Sequence, residues 1–118
     1  MIALDPASCI AHVNGGQVQL SRGEARILAV LLAAGGRVVS ARGIADAIYP
    51  VGHMPSGPAE SVRARVYLMR GKFTRAGCLN VIGLHIRSGY FVAGEVAHVR
   101  VLTAAQAARV DALLAGIA

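Results

Sequence analysis

The sequence predicts an α+β domain: short N-terminal strands, a core of three helices, a C-terminal β-hairpin and one extra C-terminal helix. Three observations predict it. Asn14-Gly15 stands between two apolar runs, a strong hairpin signal because both residue types accept φ > 0. Ser21 and Ser40 each stand just ahead of a helically spaced apolar segment, as N-caps do. A basic segment ending at Gly77 is followed by alternating apolar residues around a Gly-containing turn.

The elements follow in order. The chain opens with apolar segments in extended patterning; Cys9, Ala11 and Val13 alternate with Ile10 and His12, and Val18 to Leu20 resume after the turn. Ser21-Arg22-Gly23-Glu24 reads as a capping box, in which Ser21 accepts the N–H of Glu24 and the Glu24 carboxylate reaches back to the cap. Ile27, Leu28, Val30, Leu31 and Leu32 then give a helix buried around much of its circumference, stopped by Gly35-Gly36. Arg37-Val38-Val39 fits one short strand. From Ala41 to Tyr49 a second helix places Ile44, Ala45 and Ile48 on one face, and Pro50 ends it. Val51 to Pro58, with two Gly and two Pro, is a loop. The third helix runs from about Ala59 to Arg75. Leu79 to Val92 form a hairpin turning at Arg87-Ser88-Gly89, and Thr103 opens a last helix over about 103–116 with Val110, Leu113, Leu114 and Ile117 on its apolar side. Helices followed by a hairpin at the end of a basic helix make a winged helix-turn-helix arrangement.

Length and composition narrow the class. A chain of 118 residues suits one domain, 1–118, with a single core. With three Tyr, two Phe and no Trp, that core is expected to be built from Ala, Val, Leu and Ile. The longest apolar run, Ile27 to Ala34, is far short of the roughly 20 residues a membrane-spanning helix needs, and the N-terminus shows no signal-peptide pattern, so a soluble, cytoplasmic protein without a membrane partner is expected. Cys9 and Cys78 form no C-x-x-C pair and are expected as free thiols. Net charge is +6, and between Glu60 and Tyr90 lie Arg63, Arg65, Arg70, Lys72, Arg75 and Arg87, six of the 12 basic residues, with Glu60 the only acid. Cations gathered in this way are an electrostatic footprint for a polyanion.

Four segments resemble a known family. Val18 to Leu28 is similar to the Leu-Thr-x-x-Glu-x-x-x-Leu entry into the first helix of the output domains of OmpR-type transcription regulators. Gly36 to Ser40 resembles the Gly-x-x-Val-Ser link into their second helix. Val62 to Phe73, with Val66, Met69, Arg70 and Lys72, resembles their Val-Asp-x-x-Ile-x-x-Leu-Arg-x-Lys-Leu recognition helix, and Ile86 to Tyr90 the closing Val-Arg-Gly-x-Gly-Tyr of their wing. The resemblance covers about residues 8–93. The family's recognition-helix Asp is Arg63 here, its Arg after the second N-cap is Ala41, and the wing is one residue shorter. No receiver domain precedes the helices, so a stand-alone domain, not switched by its own phosphorylation, is expected.

The resemblance implies a bacterial, sequence-specific binder of double-stranded DNA acting in transcription, with the third helix in the major groove and the wing in the minor groove. Placed on a helical wheel with Val62 at 0°, Val66, Met69 and Phe73 fall within about 40° of it and form the buried stripe. Arg63, Tyr67, Arg70 and Thr74 cluster on one flank, Arg65 and Lys72 on the other, and Ala64, Leu68, Gly71 and Arg75 lie opposite the core. Small residues at 64 and 71 suit close approach to base edges, the flanking cations suit phosphates or guanine O6 and N7, and Leu68 suits a thymine methyl. In the hairpin, Ile82, Leu84 and Ile86 share one face while His85 and Arg87 point the other way; the resemblance implies a minor-groove role for Arg87, with His85 as its partner. It also implies a phosphate contact for Tyr49, for which a core position is the alternative, and contact with RNA polymerase through Pro50 to Pro58. A homodimer or tandem binding is expected because one such module buries limited surface, and the last helix is expected as a lid or a dimer contact.

Other chemistries find little support. His12, His53, His85 and His98 show no ligand spacing with one another or with Cys, so no metal is expected. Neither a G-x-x-x-x-G-K-S/T loop nor a G-x-S-x-G elbow occurs, and the six carboxylates suggest no catalytic pair, so neither enzyme activity nor a cofactor is expected. The competing class is a winged-helix interaction module that binds a regulator or an RNA polymerase subunit without DNA.

Overall fold

In the computed structural model, the described residues are 2–13, 16–50, 52–78, 81–85, 87–92 and the backbone of 96–99. Their elements are β1 (Ile2–Asp5), β2 (Ile10–Val13), β3 (Gly16–Gln19), α1 (Arg22–Ala33), α2 (Ala41–Ile48), α3 (Pro58–Arg75), β4 (Ile82–His85), β5 (Gly89–Val92) and β6 (Val96–Val99).

The opening apolar segments resolve into two strands, β1 and β2, which pair antiparallel, and β2 pairs antiparallel with β3. Val13 faces Gly16 across the β2–β3 pair, so two residues join the strands as the hairpin signal requires; the φ > 0 expected at Asn14-Gly15 falls outside the described residues. Strand alternation then sorts the side chains. Ile2, Leu4, Ala11, Val13 and Val18 are buried, while His12, Gln17 and Gln19 are exposed. β6 runs parallel to β1 and completes a sheet of order β3-β2-β1-β6. This strand corrects the sequence reading, which assigns no element between Val92 and Thr103. The extra helix over about 103–116 lies outside the described residues.

α1 begins at the capping box the sequence announces. The Ser21 side chain accepts from the Glu24 N–H at 3.2 Å, and the Ser21 N–H donates to Glu24 Oε1 at 2.8 Å. Every residue from Ile27 to Leu32 is buried, since α1 packs against α2, α3, β1, β5 and β6. Gly35 and Gly36, at φ 63° and 91°, turn the chain out of the helix. Of the expected strand over Arg37-Val38-Val39, one bridge remains, between Val39 and Tyr90. Ser40 caps α2 through the Gly43 N–H at 2.9 Å, and Ile44, Ala45 and Ile48 are buried.

α3 starts one residue earlier than expected, at Pro58, which occupies its first turn behind a left-handed Gly57. Proline suits that place, since the missing N–H would have had no helical partner. The buried side chains of α3 are Val62, Val66, Met69 and Phe73, the stripe read from the wheel. Phe73, Met69 and Tyr90 are core residues too, so the core is not wholly aliphatic.

Candidate nucleic-acid interface

With that stripe buried, Arg63, Ala64, Arg65, Tyr67, Leu68, Arg70, Thr74 and Arg75 are exposed on α3. Tyr67 is 79% and Leu68 57% exposed. Large apolar surface left in water beside cations is a feature of contact surfaces. Arg63 stands 3.6 Å from Glu60, one helical turn back, and both side chains are mostly in solvent, so water screens the pair and leaves the guanidinium easily redirected. At Gly71 the expected open gap is partly filled. A Cβ there would meet Arg75 Nη1 at 3.3 Å, because the Arg75 side chain folds back over the helix.

The opposite flank carries a contact within the protein. Lys72 is half-buried and donates to Glu24 Oε1 in an ion pair between α3 and the first turn of α1. Its charge therefore has a protein partner, with 34% of the side chain still exposed. Glu24 accounts for this: its side chain is 3% exposed, and a buried carboxylate requires compensating donors. Burial pushes the Glu24 carboxyl up, but Lys72 and the two Ser21 bonds outweigh it and hold the group below its ordinary value. Arg65 leans the same way. A Cβ on Gly23 would overlap its guanidinium, so the absence of a side chain at 23 makes room for Arg65 over the start of α1.

The wing, β4–β5, pairs Ile82 with Val92 and His85 with Gly89. A Cβ on Gly83 would overlap the Phe91 ring, so glycine lets that ring cross the partner strand. Two bonds of 2.8 Å between the backbones of Val39 and Tyr90 dock the wing onto the segment that enters α2. At Gly89, φ is 143° and a Cβ would run into the Val39 carbonyl, so this close approach requires glycine. His85 and Arg87 are exposed near the tip. Strand alternation does not place Arg87, however, because it lies in the turn at φ 64°. Leu84 is 52% exposed, not buried with Ile82, since the hairpin has by then run past the core. Ile86 lies outside the described residues.

Arg63 of α3, Arg42 of α2 and His85 and Arg87 of the wing border one cleft of about 220 Å3, together with Ser40 and Ser88. Arg42, bonded to Asp46 at 3.1 Å, borders this cleft and is not among the residues the sequence singles out. Its signal was its place in the first turn of α2, next to a capped helix start whose free N–H groups also favour an anion. Tyr49 is half-buried against the core at the end of α2, and Met54, in the loop before α3, is exposed. Cys9 and Cys78 are free thiols, half-buried. Among the described residues, no helix is long and apolar enough to cross a membrane.

No protein-family model matches the chain, and neither does any curated protein. Among solved structures, the chain is similar to the DNA-binding domain of response regulator AdeR, a structure described as a complex with an intercistronic region. The likeness covers 79% of this chain and 94% of that one, at a TM-score of 0.60 and 15% sequence identity. The chain therefore has the winged-helix fold of that domain, with N-terminal strands, three helices and a C-terminal hairpin.

Proposed function

We propose that this chain is a transcription regulator that binds double-stranded DNA sequence-specifically, with α3 in the major groove and the β4–β5 wing at the adjacent minor groove. The observation that carries the reading is the exposed side of α3, where Arg63, Tyr67, Leu68 and Arg70 are exposed above a fully buried stripe. A major groove is wide enough for one helix, and these side chains match its chemistry: guanidinium for guanine O6 and N7, Leu68 for a thymine methyl. The fold it shares with a domain that was solved with a DNA region supports the same reading.

The cleft supplies the second contact. Arg42, Arg63, His85 and Arg87 reach it from three elements, and a backbone phosphate there would fix the wing relative to α3. Arg87 then extends from the wing turn toward the minor groove. In this assignment Lys72 serves the protein and not the duplex, and Arg65 contributes only if it leaves Gly23.

Selection from a random duplex pool, followed by titration of the enriched site at two salt concentrations, tests the proposal. Binding should weaken steeply as salt rises, because each neutralised phosphate releases counterions. Arg70→Ala should lower affinity and reduce the slope of log K against log salt by up to about 0.9. Absence of enrichment, with capture of a polymerase subunit or regulator in its place, would favour the interaction-module reading.

A further inference from the structure

The Glu24 carboxylate joins the two ends of the helical core. Its Oε1 receives the Ser21 N–H at the start of α1 and the Lys72 ammonium near the end of α3, 48 residues away in sequence. On the same flank of α3, two turns earlier, Arg65 lies over Gly23. Both cations on this flank are thus turned toward the first turn of α1, while Arg63, Tyr67 and Arg70 on the other flank are exposed.

That asymmetry has a mechanical consequence. The buried stripe of α3 is Val62, Val66, Met69 and Phe73, a row of apolar contacts without directional bonds. Such a row resists large rotation of the helix by close packing, whereas a small turn costs only readjustment of side chains. Turning a helix by about 20° moves atoms about 6 Å from its axis by roughly 2 Å, more than a hydrogen bond to a base edge tolerates. A charge-assisted bond at the side of the helix resists such a turn, because it is directional and its acceptor is buried and fixed by a cap.

We infer that Glu24 and Lys72 are positioning residues, which set the rotation of α3 so that its opposite flank meets the base edges, and that Lys72 contacts no phosphate. The inference rests on the DNA-binding reading above. It differs from an assignment by charge pattern, which counts Lys72 among the groups that neutralise DNA.

The full-length chain, its Lys72→Met, Lys72→Arg and Glu24→Gln variants, and Arg70→Ala as a control are titrated over a salt series against the enriched duplex and an unrelated one. Circular dichroism verifies folding. Lys72→Met should keep the salt slope of the unaltered chain while its preference for the enriched duplex falls about tenfold; Glu24→Gln should lose preference similarly. Lys72→Arg, which retains charge and reach, should keep most of the preference. Arg70→Ala should lose slope. A slope lowered by about 0.9 in Lys72→Met would overturn the inference, because Lys72 would then neutralise a phosphate. A folded Lys72→Met with unchanged preference would also overturn it, leaving the pair a purely structural contact. If Lys72→Met does not fold, Lys72→Arg and Glu24→Gln decide: preference and slope kept in Lys72→Arg beside preference lost in a folded Glu24→Gln supports the inference, and a folded Glu24→Gln with unchanged preference, or a Lys72→Arg that loses preference with a native fold and a lowered slope, overturns it. Failure of the unaltered chain to bind any duplex would overturn this inference together with the reading beneath it, whereas the slope and preference outcomes leave that reading standing.

Discussion

At position 24 the chain places a carboxylate whose side chain is 3% exposed and supplies it with two donors, the Ser21 N–H and the Lys72 ammonium, while the Glu24 N–H donates to the Ser21 side chain. Burial alone would favour the protonated form, yet these donors hold the group below its ordinary value. The direction fixes the sign of the pH dependence. In the folded chain the carboxyl binds its proton less readily than in the unfolded chain, so its contribution is whole above the unfolded value. It fades as pH falls through the lowered folded value. Urea midpoints recorded from about pH 7 down to about pH 3 should therefore decline, and Glu24→Gln should flatten that decline while lowering the neutral-pH midpoint. Equal acid sensitivity in both proteins would contradict the account. The same residue shows what charge counting misses. Lys72 stands in a basic run, and the carboxylate it bonds lies 48 residues away, where no local pattern points to it. Arg42 shows the reverse: isolated in sequence, it comes beside Arg63 and Arg87 only through the packing of α2, α3 and the wing.

The elements that were legible in the sequence are those whose signals are local. Caps at Ser21 and Ser40, the glycine stop at Gly35-Gly36 and the apolar period of α3 reappear in the structure, because each acts within a dozen residues or fewer. β6 was not legible, since its partner β1 lies more than 90 residues away and its own four residues carry no turn signal. The wing was legible as a hairpin but not in its side-chain directions. Arg87 sits in the left-handed region, which breaks the alternation on which the assignment of faces depends. Attachment of the wing rests on the paired bonds between Val39 and Tyr90 and on the bare Cα of Gly89 against the Val39 carbonyl. Gly89→Ala should separate them. We expect a loss of roughly 1–3 kcal/mol in unfolding free energy, from strained backbone and lost docking, read as a lower urea midpoint. Retained stability would mean that the wing is docked by side chains and not by this approach.

Across the whole molecule, burial and charge divide the work. A sheet and α1 form the support, α2 and α3 pack together on it, and the wing is bonded to the entry of α2. Cations then emerge from α2, α3 and the wing around one cleft, next to the exposed side of α3. Dimethyl sulfate footprinting of the complex with an enriched duplex tests the proposed docking most directly, because the reagent methylates guanine N7 in the major groove and adenine N3 in the minor groove. The account predicts a short run of protected N7 atoms under α3, adjoined by protected N3 atoms under the wing. Arg87→Ala should remove the second set and leave the first. Tight binding with every guanine N7 still reactive would contradict insertion of α3 and the function built on it.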